Sequence, residues 1–270
     1  MLSRRRLLRG LVTAALWPRR LWAQPLPPSN LQVGKMAIAF VQSASRDTGA
    51  SPLALAFGSN NTAGNFIVVA IRLGSATIVP TVADSQGNTY TEDRRQVQTT
   101  DGHRTFIFSA PNIAAGANTV TVTFSGGVTC RFAIHEYSGL ATSSVLDQVN
   151  SAEDDTNTAW SSGDVTTTQA DELLFGFASG QNSQARLVTK GAAYTLREYI
   201  TVDLAFRIIS EDRIVAATGT YNANWTINNG TETKTALIAT YKAPAAAAAG
   251  APPGHGALLG DVRNAVLQHV

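Results

Sequence analysis

The middle of the sequence carries the same order of short blocks twice, and this duplication constrains the fold more than any single segment does. The offsets between matched blocks are all about 100 residues. The pairs are Thr62–Val69 with Gln169–Gly176, Gly87–Thr91 with Gly191–Thr195, Thr105–Phe108 with Leu204–Ile208, Val120–Phe124 with Ala216–Tyr221, and Phe132–Tyr137 with Leu237–Tyr241. Chance similarity from shared Thr and Val enrichment is the alternative. The pattern predicts two related halves, residues 36–139 and 146–242.

The sequence of each half predicts short β-strands. Thr119–Phe124 alternates polar and apolar residues, as in a half-buried strand, and Phe66–Ile71 is continuously apolar, as in a central strand. Clusters of Gly, Asn and Asp, such as Asp84–Asn88, separate the apolar segments and predict turns. Further strands are predicted over Arg104–Phe108, Arg131–Tyr137, Leu173–Ala178, Val202–Ile209, Val215–Tyr221 and Ala236–Tyr241. The predicted fold class is all-β, an antiparallel β-sandwich.

Two arrangements of the halves are consistent with the repeat. They could form two tandem immunoglobulin-like sandwiches, or one larger sandwich whose halves interleave in the manner of a jelly roll. The junction Ala141–Val145 is short and lacks the Pro-rich or flexible composition that separates independent domains. It therefore favours the second arrangement, one domain over residues 36–242 with interleaved halves.

The two ends of the chain have a different composition. Residues 1–23 contain Ser3-Arg4-Arg5-Arg6-Leu7-Leu8-Arg9 and a short apolar stretch, and they resemble a bacterial twin-arginine export signal. A wrongly assigned start codon is the alternative explanation for this leader-like segment. Residues 24–35 then form a spacer. The apolar stretch is too short to cross a bilayer. Residues 243–270 are an Ala-, Pro- and Gly-rich tail that ends in a helical apolar pattern, which indicates either a short docking helix or a frayed end.

Composition excludes several classes of protein. Hydrophobic residues make up 44% of the chain, so it is not intrinsically disordered. Six of the 21 Lys and Arg residues lie within residues 1–23, which leaves 15 against 19 Asp and Glu, and a body of net charge about −4 is unsuited to binding nucleic acid. Cys130 is the only cysteine, which rules out an intrachain disulfide and indicates a small buried hydrophobe.

Candidate catalytic groups are few. The Gly-x-Ser-x-Gly pattern of many hydrolases is absent. His135 and Glu136 alternate on one predicted strand, so at least one of them should be buried, and a structural hydrogen bond is the alternative to acid–base chemistry. His103 lies in a predicted turn, where a solvated side chain is expected. These observations favour a protein without catalytic activity.

Two loops suit ligand binding. Trp160, Tyr221, Asn224 and Trp225 combine aromatic rings with amide and hydroxyl groups, which is typical of glycan recognition, although a Trp at a strand end also commonly fills a sandwich core. For metals, the acidic run at Asp154 and Asp155, together with Asp147, could surround Ca²⁺; a solvated loop is the alternative.

Five strings together resemble β-sandwich modules of bacterial secreted and surface proteins, modules that often accompany fibronectin- or immunoglobulin-like repeats. The strings are Thr62–Val69, Asp84–Tyr90, Asn118–Val122, Glu136–Gly139 and Leu146-Asp147. The resemblance implies a β-sandwich fold and an exported location, periplasmic or extracellular, and it carries no catalytic residue. We expect a non-catalytic module that binds a glycan or a surface protein. An adhesin-type assembly subunit and a hydrolase that uses Glu136 are the alternatives.

Overall fold

The computed structural model describes residues 37–181, 187–201, 206–228 and 230–245, and within these ranges the chain forms antiparallel β-strands and no helix. The predicted all-β sandwich is therefore confirmed. The export leader (1–23), the spacer (24–35) and the terminal helix pattern in the tail lie outside the described residues. All described residues belong to one compact unit.

The first half contains eight strands. They are β1 (Ala39–Arg46), β2 (Leu53–Ala56), β3 (Phe66–Leu73), β4 (Thr81–Asp84), β5 (Thr91–Val97), β6 (Arg104–Ala110), β7 (Thr119–Thr123) and β8 (Cys130–Ser138). A five-stranded sheet has the order β1-β8-β3-β6-β5, and a three-stranded sheet has the order β2-β7-β4. This alternation of strands between two sheets is that of a jelly roll.

The second half repeats the plan with ten strands. They are β9 (Leu146–Asp154), β10 (Ala159–Ser161), β11 (Val165–Thr166), β12 (Glu172–Gln181), β13 (Val188–Lys190), β14 (Thr195–Ile200), β15 (Phe206–Val215), β16 (Thr220–Tyr221), β17 (Asn224–Ile227) and β18 (Thr233–Lys242). The sheets have the orders β9-β18-β12-β15-β14 and β10-β17-β13, which correspond strand for strand to the first half, and β11 and β16 form an additional pair. We call the halves the first and second sandwich.

The two sandwiches are stacked, not interleaved. In the described residues every sheet takes all its strands from one half, so the expectation of interleaved halves is wrong. The five-stranded sheets pack against each other through a shared apolar layer, and each sandwich has a further core beneath its own three-stranded sheet. The result is four layers of three, five, five and three strands.

Strand β3 shows why the sequence folds in this way. Phe66, Val68 and Ala70 face the opposite sandwich, whereas Ile67, Val69 and Ile71 face the three-stranded sheet of their own sandwich. Every residue of β3 is buried, since both faces of its sheet are covered. This double burial explains the continuous apolar run.

The order of the repeat is confirmed, but two of its blocks are misaligned. The match of Thr105–Phe108 with Leu204–Ile208 is out of register, since Phe108 pairs with Val69 where Glu211 pairs with Gly176, and residues 204–205 lie outside the described residues. Tyr137 pairs with Phe66 at the end of β8, and Tyr241 pairs with Leu173 at the end of β18, as the matched blocks predict. The match of Val120–Phe124 with Ala216–Tyr221 is wrong, because the equivalent of β7 is β17.

Both ends of the body adjoin the junction between the sandwiches. At the start of β1, Ala39 pairs with Ser138, the last residue of β8, three residues before the junction. At the end of β18, the Lys242 amide donates to the Val145 carbonyl (2.8 Å), and the Ala141 amide donates to the Lys242 carbonyl (2.9 Å). We call this the junction end, and the opposite end, which carries the turn 98–103, the hairpin end.

Candidate functional site

Glu136 is a buried structural carboxylate. It is fully buried and accepts four hydrogen bonds, from Asn61 Nδ2 (2.7 Å), Asn65 Nδ2 (2.7 Å), Gln42 Nε2 (2.6 Å) and the Thr62 amide (3.0 Å). These donors belong to β1 and to the loop before β3, so the carboxylate anchors that loop to the sheet. Its lone pairs are engaged and no solvent reaches it, which is the structural role that the sequence left as the alternative.

His135 lies on the other face of the same strand, between the two five-stranded sheets. It is fully buried, its Nε2 lies 2.8 Å from Ser210 Oγ, and its ring packs edge-on against Phe175. Burial lowers the pKa of His135 to about 3, so the ring is neutral. Because successive residues of a strand point to opposite faces, the structure does not bring His135 and Glu136 into a shared cleft.

His103 is not a solvated turn residue, contrary to the expectation from its sequence. It is 1% exposed, with Nδ1 2.6 Å from Asp101 Oδ1 and Nε2 3.3 Å from Thr235 Oγ1 of the second sandwich. The order Asp, His, hydroxyl resembles a catalytic relay. However, Thr235 is also fully buried, so its hydroxyl is shielded from any substrate. The cluster joins the two sandwiches.

The two tryptophans fill the core of the second sandwich. Trp160 and Trp225 are each 1% exposed. A Cβ atom added to Gly180 would lie 2.7 Å from Trp160 Cη2, and one added to Gly176 would lie 3.1 Å from Trp225 Cζ2, so the rings occupy the space that these glycines leave. The prediction that Trp160 and Trp225 bind a ligand is therefore corrected: their faces are covered by the sheet.

The other two predicted ligand residues lie nearer the surface. Asn224 is exposed on the outer face of the β10-β17-β13 sheet, opposite Ser161 of β10. Tyr221 is partly exposed, and its hydroxyl donates to the Ala217 carbonyl (2.9 Å) while the Arg213 guanidinium lies over its ring. The structure thus separates these polar groups from the indoles with which the sequence grouped them.

The acidic candidates do not form one metal site. Asp147 is the second residue of β9 and Asp154 is its last, so about 20 Å of strand separates them. Asp147 accepts two hydrogen bonds from Thr168, at 2.7 and 2.5 Å, and Asp154 accepts bonds from Thr156 and Asn157. The described residues contain no group of three or more His, Cys, Asp or Glu that could hold a metal ion. The predicted joining of Asp147 with Asp154 and Asp155 around Ca²⁺ is therefore corrected.

A groove of about 460 Å³ opens between the edge strands β9 and β10 of the second sandwich. Small side chains and polar groups line it: Ala152, Glu153, Asp154, Asn157, Thr158, Ala159, Ser161 and Gly163. Residues 156–159 and Ser161 are exposed. The pKa of Asp154 lies well below its usual range, because hydrogen bonds from Asn157 and Thr156 and the nearby Lys234 ammonium outweigh the effect of burial. The groove therefore carries an ionised carboxylate.

The first sandwich has a side-chain bridge at the equivalent position. Arg46 pairs with Phe132 on β8, and Ala152 pairs with Ala236 on β18; both partners lie five residues before the equivalent tyrosines Tyr137 and Tyr241. Arg46 and Ala152 are thus equivalent positions. The Arg46 guanidinium donates to the Ala54 carbonyl of β2 and bridges the edge strands, whereas Ala152 leaves them apart.

Gln42 gives the first sandwich a second bridge, from β1 to the loop after β2. Its side-chain amide donates to the Ser59 carbonyl (3.1 Å) and accepts from the Ser59 amide (3.0 Å), like a short stretch of sheet pairing. Sequence reasoning missed the groove because its signal is an alanine, Ala152, where the other half has an arginine. That signal becomes visible only once the register of β1 and β9 is known.

Comparisons of the chain with protein-family models, with curated proteins and with solved structures found no match. In the part of the chain that the structure describes, there is no helix with the length and apolar character needed to cross a bilayer. The case for the groove therefore comes from its geometry.

Proposed function

We propose that this protein is an exported, non-catalytic β-sandwich module that binds a glycan in the groove between β9 and β10. The observation that carries the proposal is a difference between the two halves: Arg46 bridges the edge strands of the first sandwich, whereas Ala152, at the equivalent position, lines an open, polar groove in the second. Since the fold itself does not require the opening, the groove is the feature that a ligand would use.

The chemistry of the groove suits a hydroxyl-rich ligand. The Asp154 carboxylate, the Asn157 amide and the hydroxyls of Thr158 and Ser161 can accept from or donate to sugar hydroxyls. Ala152 and Ala159 present small apolar surfaces beside them, against which the C–H face of a sugar ring can pack. The volume lies in the range of about 300–1,000 Å³ that is usual for small-ligand sites.

The absence of catalytic activity is supported by burial. The groups that sequence analysis considered as acids or bases, Glu136, His135 and His103, are each at most 1% exposed and lie away from the groove lining. Export is supported by the leader-like composition of residues 1–23 and by the resemblance to modules of bacterial surface proteins. An exported location would place the groove among extracellular polysaccharides.

The test introduces an arginine at Ala152, the position equivalent to Arg46 of the first sandwich. Wild-type protein is screened on a glycan array and in polysaccharide pull-downs, together with Ala152→Arg, whose side chain should bridge to β10 and fill the groove. We expect the wild type to bind at least one glycan and Ala152→Arg to lose that binding. Ala83→Arg, on the exposed outer face of the first sandwich, is the matched control and should bind as the wild type does.

Two results would reject the proposal. If the wild type binds no glycan across a varied array, the carbohydrate assignment is wrong. If Ala152→Arg binds as tightly as Ala83→Arg, the ligand lies elsewhere on the molecule.

A further inference from the structure

The back of the groove is held by the first sandwich. The Thr99 amide donates to Glu153 Oε2 (2.6 Å), and the Thr99 hydroxyl donates to Glu153 Oε1 (3.2 Å). Gln98 Nε2 donates to Asp155 Oδ1 (2.5 Å), and the Thr100 hydroxyl donates to Asp155 Oδ2. The turn 98–103 of the first sandwich thus donates hydrogen bonds to both residues that flank Asp154 in the second.

Gln98 is also linked to the groove loop through Lys234. It is fully buried, and its Nε2 lies 3.3 Å from the Lys234 carbonyl. The side chain of Lys234, 1% exposed, then donates to the Asn157 carbonyl (2.8 Å) and forms an ion pair with Asp154 (3.3 Å). A continuous chain of polar contacts therefore runs from Gln98 through Lys234 to the groove loop.

The turn is itself firmly anchored to the second sandwich. Asp101 Oδ2 accepts from the Thr233 hydroxyl (2.5 Å), and His103 faces Thr235 at the start of β18. These contacts fix the position of Gln98 relative to β18 and β9. Such a doubly anchored turn can transmit its position to the groove because Gln98 and Lys234, which link the two, are buried and paired.

We infer that the turn 98–103 of the first sandwich positions the ligand groove of the second, with Gln98 as the main positioning residue. The two halves then have divided roles: the second presents the groove, and the first, whose own edge strands are bridged by Arg46, holds the groove loop in place. This inference rests on the proposed function for the meaning of the groove, but the positioning itself is measurable without a ligand.

The test uses the full chain and a charge-rescue pair. Gln98→Glu places a second carboxylate against Asp155, and Asp155→Asn in the same chain restores an amide–carboxylate hydrogen bond. Hydrogen–deuterium exchange of the amides of residues 155–159, without ligand, should be about tenfold faster in Gln98→Glu and should return towards the wild-type rate in the double variant. Gln86→Glu, whose amide bonds to the Ala117 carbonyl of the first sandwich, is the matched control and should leave these amides unchanged.

A second variant covers the case in which Gln98→Glu does not fold. Thr99→Val removes only the hydroxyl bond to Glu153 and should speed exchange at 155–159 about threefold. Unchanged exchange in the folded variants would overturn the positioning role, whatever the ligand results show.

Affinity separates this inference from the proposed function. The probe is the glycan that the wild type binds on the array, and Gln98→Glu should weaken it about tenfold, with rescue by Asp155→Asn. If exchange responds as expected but the wild type binds no glycan, the positioning stands and the glycan assignment fails. If the glycan binds with equal affinity to all variants, the turn does not position the site.

Discussion

Tyr137 and Tyr241 occupy equivalent positions in the two sandwiches, and each donates its hydroxyl to an aspartate of the opposite sandwich. Tyr137 bonds to Asp212 (2.8 Å), and Tyr241 bonds to Asp93 (2.6 Å). Both tyrosines are fully buried in the layer between the five-stranded sheets. The reciprocal bonds give an otherwise apolar interface a defined relative placement of its two sheets, since each buried hydroxyl has its aspartate partner on the opposite sheet.

Removing either tyrosine hydroxyl should lower the free energy of unfolding, and the two losses should differ. Tyr241→Phe leaves the Asp93 carboxyl without its main donor and should lower the free energy of unfolding by about 1–3 kcal/mol. Tyr137→Phe should cost less, because Asp212 keeps its ion pair with Arg197 (2.7 Å). Urea denaturation of both variants measures the difference, and a larger loss for Tyr137→Phe would contradict this account.

Asp93 should make stability depend on pH. Burial raises its pKa to about 6, although the bond from Tyr241 acts in the opposite direction. Between about pH 4 and 6 the folded protein keeps a proton that the unfolded chain has lost, so this group's contribution to stability falls as pH rises through that window and is constant above it.

Asp93→Asn, which keeps an acceptor for Tyr241, should remove this dependence. Relative to the wild type it should gain up to about 3 kcal/mol between pH 4 and pH 7. Denaturation curves at both pH values provide the measurement. A constant difference between the two proteins would show that Asp93 has an ordinary pKa.

Glu136→Gln separates a structural from a catalytic role. A glutamine amide would place an N–H group against the donors from Asn61, Asn65 and Gln42, so we expect a loss of about 2–4 kcal/mol in stability. Hydrogen exchange should also rise in residues 59–65. An unchanged stability would mean that the four bonds do not anchor the loop.

Gly180 should not tolerate a methyl group. Because the added Cβ would lie 2.7 Å from Trp160 Cη2 and closer still to a carboxylate oxygen of the buried Glu232, Gly180→Ala should destabilise the protein by about 1–3 kcal/mol. Gly58→Ala is the matched control: its Cβ would meet nothing within 4 Å, and its effect should stay within about 0.5 kcal/mol. Thermal unfolding of both variants distinguishes a packing effect from a general effect of replacing glycine.

The thiol of Cys130 should not react in the folded protein. Its side chain is buried, and burial raises the pKa of its thiol to about 12, so the reactive thiolate is scarce at neutral pH. A thiol-reactive dye should label it only after unfolding in denaturant. Rapid labelling of native protein would show that the core of the first sandwich opens.

The strand plan was predictable because its signals are local. The alternation in Thr119–Phe124 and the apolar run of Phe66–Ile71 correspond to β7 and β3. The burial of Trp225 was also encoded: Asn224, Trp225, Thr226 and Ile227 alternate exposed and buried along β17, so the strand period places the indole inwards. The aromatic and amide composition of the same loop indicated a binding site instead.

The stacking of the sandwiches was not predictable from local patterns. The apolar run of β3 requires cover on both faces, but nothing in its residues says that the second cover is the other half of the chain. His103 illustrates the same limit, since its turn is ordinary in sequence and its burial comes from β18, about 130 residues later. Contacts of this kind depend on the assembled layers.

The start of β1 and the end of β18 lie beside the junction, and this makes the order of the two sandwiches along the polypeptide interchangeable. A short linker between the end of β18 and the start of β1, with a new opening cut between Gly139 and Val145, would yield a circular permutant in which the second sandwich is synthesised first. Every strand pairing would be retained. The same geometry would allow the whole body to be inserted into a surface loop of a host protein with little disturbance of either partner.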